Sequence, residues 1–226
     1  MKKIFSVDGS KGGTGKSSVC MGIIDTILQA GEKVLVIEAD TENADVYKCY
    51  KSVENCEVQP LKIDNVDGFM LINQAVYDTD AKYIVFNNPA RSSGWREFGK
   101  GFVDSLPKIP AEITTFWVAN RKADTIQSLK LYTDAFPQIP VVFVYNLFWR
   151  EKERFVIWNE SNLRKDLQKK GLIEVTFPDV ADRVDEYMHA NRMAWNRIEE
   201  MPFGVRMEAE RIRRDFTETF SKFLSK

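Results

Sequence analysis

The sequence predicts an α/β fold: one three-layer domain with a mostly parallel, twisted sheet and helices on both faces. Three observations carry this. Strand-like apolar runs alternate with helical stretches through most of the chain. Those runs are continuously apolar, as strands buried on both faces are. A glycine-rich turn joins the first strand run directly to the first helical stretch. The 226 residues, 44% of them hydrophobic, suit one sizeable core, so residues 1–226 are read as a single domain. No internal repeat, low-complexity tract or linker interrupts them.

In chain order, residues 3–7 (Lys-Ile-Phe-Ser-Val) form the first strand run. Val19, Ile23, Ile24, Ile27 and Leu28 then make one helical face, and Gly31 supplies its stop. Residues 33–38 (Lys-Val-Leu-Val-Ile-Glu) read as a second buried strand, and helical periodicity returns over residues 64–77. Residues 83–86, 113–118 and 141–145 are further strands. The last two flank a helix carrying Ile126, Leu129, Tyr132 and Phe136. A short strand at residues 172–177 precedes helices to the end. The final helix carries Ala209, Ile212, Phe216, Phe220, Phe223 and Leu224 on one side, a stripe expected to pack on the sheet.

Composition narrows the function classes. The formal net charge is −1, so global charge steers the chain towards neither nucleic acid nor membrane. No apolar run is long enough to span a bilayer. Met1-Lys2-Lys3 enters a strand without a signal-peptide h-region, which predicts a cytoplasmic protein. The three cysteines, Cys20, Cys49 and Cys56, lack zinc-type spacing, and Cys20 falls on a helix face expected in the core. With one histidine, His189, neither a Ser-His-Asp triad nor a multi-histidine metal centre is expected.

Residues 8–18 read Asp-Gly-Ser-Lys-Gly-Gly-Thr-Gly-Lys-Ser-Ser. Glycines let backbone N–H groups curl around a polyphosphate without side-chain clash. Lys16 is placed to reach the β- and γ-phosphates, the Ser17 hydroxyl to ligate Mg²⁺, and the helix that follows aims its positive end at the anion. The general phosphate-loop pattern has glycine six residues before the lysine, where this chain has Ser10. The variant Lys-Gly-Gly-x-Gly-Lys-Ser, headed by Lys11, resembles the deviant Walker A motif of the ParA/MinD ATPases, which position plasmids, chromosomes and division machinery.

That resemblance implies a single three-layer P-loop NTPase domain using ATP/ADP and Mg²⁺. Gly12, Gly13, Thr14, Gly15, Lys16, Ser17 and Ser18 would hold the nucleotide, and Lys11 would cross a dimer interface to the partner's phosphates. The related nitrogenase iron protein would need cluster cysteines in other loops, and no such pair is seen. Residues 38–45 (Glu-Ala-Asp-Thr-Glu-Asn-Ala-Asp) resemble the family's switch I. Its leading aspartate assigns Asp40 to ordering Mg²⁺ through water or orienting the attacking water. Asp40 or Asn43 as a helix cap is the alternative, and Asp45 reads as part of an acidic turn. Residues 83–91 (Tyr-Ile-Val-Phe-Asn-Asn-Pro-Ala-Arg) resemble Walker B and switch II, with Asn87 where the family has aspartate. An amide keeps an oxygen for Mg²⁺-bound water and loses the charge, so weak Mg²⁺ retention and slow hydrolysis are expected. Gly94 would let this segment move when the γ-phosphate is lost.

Asn146 ends a strand as an amide does in related ATPases that pair with the adenine edge; capping a helix from about Arg150 is the other use. Pro178 and Asp179 resemble the loop that covers the base, or form a plain turn. Asn120-Arg121 is a further rim candidate. Basic residues recur over residues 150–170 and 211–214 but are interleaved with acids.

The leading expectation is an ATP-dependent homodimerising switch of the partition and positioning type, plasmid- or nucleoid-associated. Its partners would be DNA or a DNA-bound plasmid protein, and membrane-surface binding is not expected. The runs quoted look like the small plasmid-borne stability and conjugation ATPases of StbB or TraL type. The competing classes are a dethiobiotin-synthetase-like enzyme and a non-hydrolysing nucleotide-binding adaptor, which Asn87 keeps open.

Overall fold

A computed structural model describes residues 1–90 and 94–224. Seven parallel strands form one sheet in the order β3-β2-β4-β1-β5-β6-β7. They are β1 (Lys2–Asp8), β2 (Val34–Glu38), β3 (Cys56–Pro60), β4 (Tyr83–Asn87), β5 (Ala111–Ala119), β6 (Val141–Asn146) and β7 (Ile173–Phe177). Every expected strand run falls on a strand, with Lys33 and Leu172 standing just outside β2 and β7. β3 was not expected. It reads Cys-Glu-Val-Gln-Pro at the sheet edge, where polar residues and a proline are tolerated because one side has no ladder to complete.

Helices α1 (Lys16–Gln29), α2 (Asp45–Tyr50), α8 (Asp182–Ala190) and α9 (Phe203–Phe220) cover one face. Helices α3 (Val66–Asp78), α4 (Gly94–Ser105), α5 (Ala123–Ala135), α6 (Val156–Asn159) and α7 (Asn162–Lys169) cover the other. Gly31, at φ 75°, ends the α1 turn in the left-handed region, as expected of a stop. Two helices escaped the sequence reading. α2 has only six residues, too short for periodicity, and α4 carries three glycines that dilute its helical signal.

The stripe on the last helix does pack inward. Ala209, Ile212, Phe216 and Phe220 are buried in the same core as Val19, Cys20, Ile23, Ile24 and Ile27 of α1. Arg213 closes the seam, donating from Nε and Nη2 to the buried Asp25 carboxylate at 2.7 and 2.9 Å. The helix stops at Phe220. Phe223 continues the stripe from a 3₁₀ turn, its ring centroid 5.0 Å from that of Phe116. Among the described residues no helix is long and apolar enough to cross a membrane.

Register decides what meets at the carboxyl ends of the strands. Glu38 pairs laterally with Asn87, and Val7 with Asn87 on the other side, so three central strands end level beneath the phosphate loop. Asn146 ends β6 opposite Phe177 of β7.

Candidate functional site

The loop between β1 and α1 turns on Gly13 and Gly15, at φ 73° and 92°. It closes on the Lys11 carbonyl, which accepts from Thr14 Oγ1 at 3.2 Å and from Lys16 Nζ at 3.1 Å. Lys16 is 6% exposed. Burial lowers its pKa, and the Asp8 and Asp40 charges oppose that shift. No side chain caps the N-terminus of α1, and its first turn holds no acidic residue. An uncapped helix start, its positive end and a buried ammonium are together suited to an anion. Gly12, Gly13, Thr14, Gly15, Ser17 and Ser18 all stand on this turn or its helix.

Below the loop lies a buried pair that sequence reasoning missed. Glu38 is fully buried and its Oε1 accepts from Asn87 Nδ2 at 2.8 Å, while Oε2 accepts from the Tyr47 amide at 3.2 Å. Burial pushes the Glu38 carboxyl up to about 7 against its hydrogen bonds from Asn87 and Tyr47. Asn87 Nδ2 also lies 3.5 Å from Ser17 Oγ, and Asn87 Oδ1 is buried without a partner. The signal was present: a carboxylate ending an apolar strand, in register with the amide. Only the register reveals it.

Among the described residues no three His, Cys, Asp or Glu side chains cluster as a metal cage. Mg²⁺ does not need one, since it keeps waters and shares phosphate oxygens. Ser17 Oγ, the orphaned Asn87 Oδ1 and the Glu38 carboxylate are hard oxygen donors and fit it. Asp40 is half-buried, and its Oδ1 accepts from the Asn43 amide at 3.2 Å in the turn before α2; neither Asp40 nor Asn43 caps that helix, whose N-cap is Ala44 without a side-chain bond. Asp40 also lines a cleft of about 240 Å³ with Pro89 and Ala90, facing the segment after β4. Asp45 opens α2 and pairs with Lys48 at 2.9 Å, as an acidic helix start would. Asn88 anchors the segment: Nδ2 donates to Ser6 Oγ at 2.8 Å and Oδ1 accepts from Trp95 Nε1 at 2.7 Å. Arg91 lies outside the described residues, and Gly94 opens α4.

The base-side candidates are placed differently. Asn146 is 5% exposed, and each end of its amide is engaged within the chain. Nδ2 donates to the Thr14 carbonyl at 2.8 Å, and Oδ1 accepts from the Phe148 amide at 3.1 Å. The cap belongs to a 3₁₀ turn, Leu147–Trp149, and not to a helix from Arg150, whose φ is 103°. Pro178 is buried and Asp179 exposed on the loop from β7 to α8. Burial, aided by the Asp182 charge, pushes the Asp179 carboxyl up. The next residue, Val180, joins Ser18, Met21 and Met188 around a cavity of about 330 Å³ beside α1. Asn120 is buried as a turn cap, its Oδ1 accepting from the Lys122 amide at 2.8 Å, and Arg121 Nε donates to the Arg154 carbonyl at 3.0 Å.

Lys11 pairs with Asp124 at the start of α5, with Nζ 2.5 Å from Oδ2. Several basic residues flagged in the sequence are likewise neutralised within the chain: Arg164 by Glu174, Lys169 by Asp166, Arg211 by Glu208 and Asp215. Cys20 is buried in the core, and His189 is exposed on α8.

No family model matches the chain. Protein MobD of Acidithiobacillus ferrooxidans is 37% identical over 216 residues, covering 95% of this chain and 94% of that protein. Among solved structures, the septum site-determining protein MinD of Pyrococcus horikoshii, complexed with Mg-ADP, superposes with a TM-score of 0.62 at 16% identity over 99% of this chain and 97% of that one. A plasmid partition protein of Borrelia burgdorferi bound to AMPPNP gives 0.55 at 16% identity, covering 97% of this chain and all of that one, at 100%. These two likenesses show the same P-loop fold.

Proposed function

The chain belongs to the MobD family, and from that premise we propose that it is an ATP-binding, slowly hydrolysing switch whose dimerisation follows nucleotide state, serving plasmid mobilisation, partition or stability. One observation carries this: Ser17, beside buried Lys16 at the uncapped start of α1, lies 3.5 Å from the Asn87 amide of the Glu38–Asn87 pair, whose oxygen has no partner.

In this reading Lys16 and the α1 N–H groups bind the β- and γ-phosphates. Ser17, Asn87 and Glu38 would hold hydrated Mg²⁺, which supplies charge neutralisation at the phosphates when bound. Glu38 returns to the neighbouring strand the negative charge that Asn87 lacks. Asp40 orients water from the cleft beside Pro89. Lys11 leaves Asp124 and reaches the partner subunit's phosphates, which couples association to the triphosphate. An amide in place of the Walker B carboxylate slows hydrolysis and lengthens the ATP-bound state.

The oligomeric state tests this. The wild type should be monomeric without nucleotide and with ADP, and dimeric with ATP·Mg²⁺; Lys11→Ala should lose the ATP dimer and keep nucleotide binding. A dimer of equal strength in all conditions would remove the switch. A second reading, a nucleotide-binding adaptor without hydrolysis, is favoured by Asn87 itself. Phosphate release with ATP alone, then with DNA or a partner protein added, separates the two.

A further inference from the structure

The amide at the end of β6 faces the phosphate loop. We propose that Asn146 is a positioning residue that sets the loop's anion-binding shape. The inference rests on the nucleotide-binding reading above.

Three observations converge. Asn146 Nδ2 donates to the Thr14 carbonyl at 2.8 Å, a bond buried from solvent that joins residues 132 apart in sequence. The Phe148 amide holds Oδ1 at 3.1 Å, which fixes the flip of the carboxamide and keeps its donor end towards the loop. Gly15 lies against the same group: a Cβ there would stand 2.2 Å from Nδ2, and its φ of 92° already disfavours any side chain.

The consequence follows from peptide geometry. In a planar trans peptide the C=O and the following N–H point in opposite directions. Holding the Thr14 carbonyl against Asn146 therefore turns the Gly15 N–H away from β6, towards the concave side of the loop where phosphate oxygens would be cradled. Gly15 is also the residue just before α1, so the same bond sets the entry of the helix. The second N–H and the second lone pair of the amide stay free, so this positioning role neither needs nor forbids a contact with a base.

Asn146→Asp is the sharpest test. It is isosteric and keeps an acceptor for the Phe148 amide, but it loses the donor and sets an oxygen against the Thr14 carbonyl. Asn146→Ala, which opposes no like oxygens, is the second variant if the first does not fold. Calorimetry would measure ATP, GTP and inorganic tripolyphosphate, each with Mg²⁺, below the melting temperature of each variant. Tripolyphosphate affinity is expected to fall along with those for ATP and GTP, by about tenfold to a hundredfold. Unaltered tripolyphosphate binding would overturn the inference, whatever happens to the preference for ATP. A wild type that binds none of the three would instead overturn the nucleotide reading on which it stands.

Discussion

On the β4 side of the phosphate loop, Asn87 spends its amide nitrogen on Glu38 and leaves its oxygen unpartnered in a buried place. On the β6 side, Asn146 spends both ends, one on Thr14 and one on Phe148. Both are asparagines that end parallel strands, at the edge where doubly wound sheets gather ligands. The neighbours make them differ. Asn87 has a carboxylate in register and faces Ser17, whereas Asn146 faces backbone. A buried acceptor with no partner costs about 1–3 kcal/mol and persists where something else completes it. In the function proposed above, the wall towards β4 is the one that would receive a hydrated cation.

The harshest way to break this contrast is to remove what both walls serve. Lys16→Ala deletes the ammonium between them, and with it at least two charge-assisted hydrogen bonds to phosphate. A loss of roughly 3–4 kcal/mol, several hundredfold or more in ATP affinity, is expected by calorimetry. The fold should survive, since a partly desolvated charge is removed and no cavity opens in either core. Retained affinity would mean that the loop does not grip through this lysine.

Next in size is a pH effect confined to the open wall. Burial raises Glu38 from 4.5 to about 7, so the folded chain keeps a proton that the unfolded chain has released. The stabilisation is complete below pH 4.5 and is lost as pH rises through about 7, a loss of about 3 kcal/mol. Asp8, raised by burial from 3.8 to about 6, pulls in the same direction. Urea unfolding at pH 5 and pH 8 without Mg²⁺ should therefore show the wild type weaker at the higher pH. Glu38→Gln should remove about 2–3 kcal/mol of that difference and leave the Asp8 part. If Glu38→Gln keeps the whole slope, the carboxylate is not its source.

The same contrast explains what was legible in the sequence. Strand runs, the phosphate loop and the stripe on α9 are local patterns, and each lies where it was read. β3 was missed because an edge strand needs no apolar alternation, and α4 because its glycines hide a helix held by Trp95 and Phe102 in the core. Glu38 looked like the last letter of a strand. Its meeting with Asn87 depends on register between residues 49 apart, which no local pattern encodes. Asn146 was recognised as a site residue, but its role turns on a partner 132 residues away. Asp40 alone shows why motif position is not geometry: it holds both the turn and the cleft.

A smaller effect sharpens the open wall. Asn87→Asp sets a second carboxylate where the amide now donates to Glu38 at 2.8 Å. Without Mg²⁺ it should destabilise the fold by about 1–2 kcal/mol near pH 8, because the bond is lost and like charges meet. With ATP·Mg²⁺ it should recover that loss, bind Mg²⁺ at least about tenfold more tightly by titration, and turn over faster. Unchanged Mg²⁺ dependence and turnover would show that position 87 does not face the metal.

The least effect is expected at the rim, where neither wall is buried. Lys11 and Asp124 form a pair whose side chains are 40% and 24% exposed. Such pairs contribute under about 1 kcal/mol, so Asp124→Asn should hardly move unfolding by heat or urea. Its value lies in the sign of a second readout. If Lys11 serves the partner subunit, Asp124 competes for it within the chain, and Asp124→Asn should strengthen the ATP dimer by up to about fivefold in sedimentation. Lys11→Ala should act oppositely through the same position. If Asp124→Asn weakens the dimer as Lys11→Ala does, the pair works as a unit in the dimer itself and does not restrain the lysine.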